Sequence, residues 1–92
     1  MRKMEVENTG ETFRIRLSPR NSAELAYHIE GNRIFLDSTY TPEKFRGKGV
    51  GAKLVEAAIS YAKEKGLRVV PVCTFALEYF KKHPEHNEIL SQ

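Results

Sequence analysis

A single cysteine among 92 residues leaves Cys73 with no partner for an intramolecular disulfide. That points to a reducing, cytoplasmic setting rather than to a secreted, disulfide-stapled scaffold. No apolar run approaches the ~18 residues that a membrane-spanning helix requires, and the opening MRKMEVENTG lacks the apolar core of a signal peptide. Repeats, low-complexity tracts and Pro/Ser-rich linkers are missing as well, so residues 1–92 are expected to fold as one domain around one core. What is there is an ordinary globular composition, 40% hydrophobic and 29% charged. The net charge of +3 suits an anionic ligand but is too small an excess to indicate nucleic acid.

Period-2 alternation marks the first half of the chain. In TFRIRL, Phe13, Ile15 and Leu17 alternate with Arg14 and Arg16; in AELAYHIE, Leu25, Tyr27 and Ile29 alternate with Glu24, His28 and Glu30. Both patterns predict half-buried strands. SPRNS turns the chain between them, and Gly31-Asn32 predicts a tight hairpin into RIFLDSTY. Residues 1–10, with turn chemistry at Asn8-Thr9-Gly10, are expected to be a loosely held lead-in. In the second half, Val50, Leu54, Val55, Ala58, Ile59 and Ala62 recur at helical spacing, and Gly66 stops the helix. LRVVPVC then predicts a short strand covered on both faces. TFALEYFKKH predicts a short amphipathic helix ended by Pro84, with Phe75, Ala76, Tyr79 and Phe80 available to pack on the sheet. The order β-β-β-α-β-α is an α+β fold: three antiparallel strands, then a crossover helix into a mixed sheet.

Between the third strand and the long helix lies TPEKFRGKGVG, residues 41–51, with Gly47, Gly49 and Gly51 on alternate positions and Arg46 and Lys48 beside them. A loop that opens a helix offers unpaired backbone N–H groups and the positive end of the helix dipole, and both favour an anion. Glycines let its backbone approach that anion closely. The pattern predicts a phosphate loop, with further charge from Lys53. It is not a Walker A loop, because no Ser or Thr follows Lys48 in that register. Nor is it a dinucleotide fingerprint: Gly47-x-Gly49-x-x-Ala52 has the spacing, but TPEKF separates it from the strand and Arg68 to Val72 contains no acid for a ribose.

Arg46-Gly47-Lys48-Gly49-Val50-Gly51 does fit the [QR]-x-x-G-x-[GA] loop of the GNAT superfamily of N-acetyltransferases. With its context over residues 33–83, the chain most resembles a small, truncated GNAT-like family that carries a cysteine where Cys73 stands. The resemblance implies that backbone amides of Arg46, Gly47, Lys48, Gly49, Val50, Gly51 and Ala52 hold the pyrophosphate of acetyl-CoA. It places the pantetheine arm in a splay between the strand ending at Tyr40 and the strand ending at Cys73, paired with backbone at Ser38 and Tyr40. The Tyr40 N–H would polarise the thioester carbonyl. Cys73, beside the sulfur, would donate a proton, accept the acetyl group covalently or line the groove. The implied reaction is acetyl transfer from acetyl-CoA to an amine, with no metal.

The chain also departs from that pattern. SPRNS replaces the usual helical pair between the first two strands, and the stretch after Pro84 is expected to be too short for two further strands. Both parts normally help to build the acceptor site, so a CoA-binding or protein-interaction module without turnover is the alternative. Ser38 stands where many relatives carry His. In the pattern N-x-x-A-x-x-[FL]-Y, Cys73 takes the Asn position and Phe80 that of the proton-donating Tyr, with Tyr79 about 100° around the helix. A basic nucleic-acid module comes third, since aromatics are not interleaved with basic residues as stacking platforms require. His28 and Asp37 lie on strands and could serve as a base, but they read first as ordinary surface or edge residues, and His83-Pro84-Glu85-His86 reads as a solvated helix end rather than a metal site. Tyr27, Tyr40 and Tyr79 read as packing residues with a hydroxyl reaching a rim.

Overall fold

A computed structural model describes residues 4–91. Five strands, β1 (Val6–Asn8), β2 (Thr12–Ser18), β3 (Asn21–Glu30), β4 (Arg33–Tyr40) and β5 (Arg68–Pro71), form one sheet in the order β1-β2-β3-β4-β5. Helix α1 (Val50–Lys65) crosses from β4 to β5, and α2 (Thr74–Lys82) follows β5. All neighbours pair antiparallel except β4 and β5, which are parallel. The fold is the expected α+β arrangement with a mixed sheet.

The alternation in sequence becomes two unlike faces. Phe13 and Ile15 of β2, Ala23, Leu25 and Tyr27 of β3, and Ile34 and Leu36 of β4 are buried. They share one core with Leu54, Val55, Ala58, Ile59 and Ala62 of α1 and with Ala76, Tyr79 and Phe80 of α2. Both helices therefore lie on the same side. A fully buried leucine such as Leu54 contributes about 1.5–3 kcal/mol relative to exposure. Among the described residues no helix covers the other face, where Glu24, His28, Phe35 and Ser38 stand half-buried or exposed.

Three details differ from the sequence expectation. Within the lead-in, Val6–Asn8 adds an edge strand to β2, and Asn8 Oδ1 accepts a hydrogen bond from the Tyr27 hydroxyl at 2.6 Å. Such a partner 19 positions away has no local signal; the first three residues of the lead-in lie outside the described residues. Second, β5 is shorter than LRVVPVC and is covered on one face only: Val69 is buried, Val70 half-buried, and Val72 beyond it 55% exposed. Third, Phe75 does not join the sheet but points from α2 toward the start of α1.

Two irregularities shape β4. Its register with β3 passes from Ser38↔Ala26 to Leu36↔Tyr27, so Asp37 is an extra residue and forms a bulge. Its ladder with β5 ends at Leu36↔Pro71, well before β4 ends at Tyr40. Pro71 has no N–H to carry the ladder on. The next two donors, Val72 N–H and Cys73 N–H, both turn to the Leu36 carbonyl at 3.0 Å, and the two chains separate. On its outer edge β5 is met by the chain's last turn, where Leu90 bridges to Val69 and Ser91 N–H reaches the Val69 carbonyl at 2.8 Å.

Candidate functional site

The end of β4, the connection after it, the first turn of α1 and Phe75 of α2 enclose a pocket of about 420 Å³. The connection is a 3-10 turn at Glu43–Phe45 that follows the buried Pro42. Arg46 Nε donates to the Thr41 carbonyl at 2.8 Å and ties the loop back to the strand end. Gly47 and Gly49 then take φ of 78° and 80°, the left-handed region that costs other residues roughly 1–2 kcal/mol. Among the described residues, chain neighbours aside, nothing lies within 4 Å of where their Cβ atoms would stand. Their glycines serve the turn itself and leave the space above it open.

Gly49 is also the N-cap of α1. It supplies no side-chain cap, and the first turn carries no acidic residue. The first N–H groups of a helix have no intrahelical acceptor, so this end presents free donors and a positive dipole beside the exposed Arg46 and Lys48. That arrangement favours an anionic group. Gly51 is different: it lies in helical conformation, is buried, and an added Cβ would sit 2.6 Å from the Phe75 ring. Its lack of a side chain accommodates a neighbouring aromatic, which corrects the view that all three glycines serve the loop backbone.

Tyr40, Arg46, Gly47, Gly49, Val50, Gly51 and Ala52 all line this one pocket. Lys48 is exposed on the loop and Ser38 on the open sheet face, and neither lines it. Cys73 stands next to it: its Sγ is 3.2 Å from Oγ1 of Thr39, which does line the pocket. Cys73 is also the N-cap of α2, where Sγ accepts from Ala76 N–H at 3.4 Å. The sequence reading placed Cys73 at the strand end but not at this cap. It also missed Thr39, Thr41, Phe45 and Phe75 in the lining. Thr39 faces inward only because the bulge at Asp37 shifts the alternation, and Phe75 has no signal short of the α1–α2 packing.

The residues weighed as proton donors lie elsewhere. Phe80 is buried in the core. Tyr79 donates its hydroxyl hydrogen bond to Glu56 Oε2 of α1 at 3.2 Å and stacks on His83 with ring centres 4.2 Å apart. Burial, with the Glu56 carboxylate second, pushes its phenol up to about 12. On the open face, His28 Nδ1 lies 2.6 Å from Asp37 Oδ2 and Nε2 lies 3.0 Å from Glu30 Oε2. The bond to Asp37 raises the imidazole above its ordinary value, with Glu30 adding to it. His28 and Asp37 are thus paired, where the sequence showed two unrelated strand residues.

The structure is a small α+β domain in which a glycine-rich loop opens the crossover helix and a parallel strand pair splays beside it. Residues 12–89 match the family described as GCN5-related N-acetyl-transferase, and the chain belongs to that family. It is 30% identical over 84 residues to Protein NATD1 of Mus musculus, spanning 89% of this chain and 76% of the mouse protein. The human Protein NATD1 gives the same identity, with 74% of that protein covered. The solution NMR structure of a GCN5-like protein from Staphylococcus aureus superposes with a TM-score of 0.80 at 28% identity, covering 99% of this chain and 91% of that one. Among the described residues no helix is long and apolar enough to cross a membrane.

Proposed function

We propose that residues 1–92 act as a single cytoplasmic domain that binds acetyl-CoA and transfers its acetyl group to an amine. One observation carries the reading: the uncapped start of α1, with Gly47 and Gly49 at positive φ beneath open space, forms one wall of a pocket that runs on toward the β4–β5 splay. In this reading the backbone N–H groups after Arg46, from Gly47 to Ala52, take the pyrophosphate, since the Arg46 N–H donates to the Glu43 carbonyl at 3.2 Å, and the Arg46 and Lys48 side chains add charge from the rim. The pantetheine arm follows β4 past Tyr40 and Ser38, with Tyr40 N–H at the thioester carbonyl and Cys73 beside the sulfur. Backbone donors held by a sheet stabilise the developing oxyanion without reorganising. An NMR titration with acetyl-CoA tests it. Amides of 46–52 and around Tyr40 and Cys73 should shift, and shifts confined elsewhere, or none at millimolar ligand, overturn the reading.

A second reading, a CoA-binding or interaction module without turnover, is favoured by the position of Tyr79. Its hydroxyl is engaged by Glu56 and Phe80 is buried, so neither brings an acid to the departing thiolate. Free-thiol release from acetyl-CoA with a panel of amines separates the two.

A further inference from the structure

The pocket is open at one end and shut at the other. Over the loop, the space above Gly47 and Gly49 is clear. At the strand end the lining reaches no further down β4 than Thr39. Thr39 pairs with the fully buried Leu25, so its side chain lies on the helix side of the sheet. There it meets Cys73, with Oγ1 and Sγ 3.2 Å apart. Cys73 does not line the pocket. It stands behind Thr39 as the other half of a bridge from β4 to the start of α2.

Neither half of the bridge has room to retreat. Thr39 is β-branched and stiff about its first side-chain torsion. Cys73 is held from three directions: its N–H donates to the Leu36 carbonyl at 3.0 Å, its carbonyl accepts from Leu77 N–H at 3.0 Å, and Sγ accepts from Ala76 N–H at 3.4 Å. Cys73 packs against the core, and Leu36, Val69 and Ala76 there have no exposed surface. A packed interior of this kind has no void to take an added methylene. Down the sheet from the bridge the two strands are already zipped, since their ladder runs from Arg33↔Arg68 to Leu36↔Pro71.

We propose that Thr39, backed by Cys73, is the end stop of the acyl site, and that it selects acetyl-CoA over CoA thioesters with longer acyl chains. This rests on the acetyl-CoA reading above, in which the thioester carbonyl meets Tyr40 N–H and the sulfur lies beside Cys73. An acyl group held between those two points has Thr39 as its next neighbour along β4. A two-carbon group ends against that side chain. Each further methylene has to displace Thr39 toward a residue that is itself anchored, and a pocket that rejects one methylene discriminates by roughly tenfold or more.

The test is calorimetry of CoA, acetyl-CoA, butyryl-CoA and hexanoyl-CoA with wild type, Thr39→Ala, Thr39→Ser and Thr39→Val. Free CoA carries no acyl group, so affinities taken relative to it remove any effect of a substitution on the rest of the cofactor. Wild type should bind acetyl-CoA about tenfold or more tighter than butyryl-CoA. Thr39→Ala, which removes the branch, should shrink that preference to about threefold or less. Thr39→Ser loses only the methyl group and should fall between; it reads the same ratio should Thr39→Ala fail to fold. Thr39→Val keeps the branched shape without the hydroxyl and should retain the preference; its loss there overturns a steric stop. A preference that is the same in wild type, Thr39→Ala and Thr39→Ser overturns the inference and leaves the acetyl-CoA reading standing. Equal affinity of wild type for all three thioesters also overturns it, by placing the acyl chain away from Thr39. Failure of wild type to bind CoA or any thioester overturns both.

Discussion

The Phe75 ring occupies the place of a side chain at Gly51: a Cβ built there would lie 2.6 Å from Cζ of the ring. This contact sets the Phe75 ring of α2 against the first turn of α1, and both residues line the pocket. Phe75 is 43% exposed and its ring can turn aside, so Gly51→Ala should leave stability within about 1 kcal/mol of wild type, the displaced ring offsetting the gain in helix propensity. In a Phe75→Ala background the same substitution should stabilise it by about 0.5–1 kcal/mol, because alanine is the better helix residue. Urea unfolding of the four proteins reads the cycle; an equal effect in both backgrounds would mean the ring does not rest on Gly51.

Gly49 separates backbone need from ligand space. Asparagine tolerates the left-handed conformation that Gly49 adopts at φ 80°, whereas valine does not. Gly49→Asn should keep stability within about 1 kcal/mol of wild type while its side chain enters the open space over the loop, lowering acetyl-CoA affinity by about tenfold or more. Gly49→Val should lose both. Wild-type affinity in Gly49→Asn, measured by calorimetry, would remove the loop from the binding site.

Cys73 carries two separable duties. Its Sγ caps α2 and meets Thr39, so Cys73→Ala should cost about 1 kcal/mol of stability while Cys73→Ser, which keeps a cap oxygen, should cost little. If the thiol itself serves the reaction, both variants lose turnover more than acetyl-CoA affinity. Full activity in Cys73→Ser, with no acetyl adduct on the wild-type protein by mass spectrometry, would leave Cys73 as a cap and nothing more.

The contact with Asp37 shows in the state of the His28 ring. Asp37 and Glu30 raise the folded-state value of His28 above the unfolded one, so the stability this imidazolium contributes is fully present below the unfolded value and is lost as pH rises through the folded one. Proton NMR of the His28 ring should give a midpoint above that of a free imidazole, falling back in Asp37→Asn. A midpoint that ignores the Asp37 substitution would mean the 2.6 Å contact is not maintained in solution.

Tyr79→Phe removes the hydroxyl hydrogen-bonded to Glu56 and should cost about 0.5–1.5 kcal/mol with no change in thiol release. A loss of turnover at unchanged acetyl-CoA affinity would assign Tyr79 the proton-donating role that its position beside Glu56 argues against.

What the sequence determined by itself was local: the alternation of β2 to β4, the 3.6-residue spacing of α1, and the glycines at 47 and 49, whose backbone conformation depends on their own covalent structure. The loop could be read because its residues are contiguous in sequence. Tertiary structure decided everything that joins distant positions. Val6–Asn8 became a strand only because β2 offered an open edge. The extra residue Asp37 reversed the alternation at the end of β4, turning Thr39 inward to Cys73 and bringing Asp37 to His28. Helical periodicity assigned Phe75 to the sheet, but α2 packs against α1 so closely that Gly51 is where its ring fits. A one-residue slip in pairing exchanges the two faces of a strand, and no local pattern of residue types records where the partner strand will impose it.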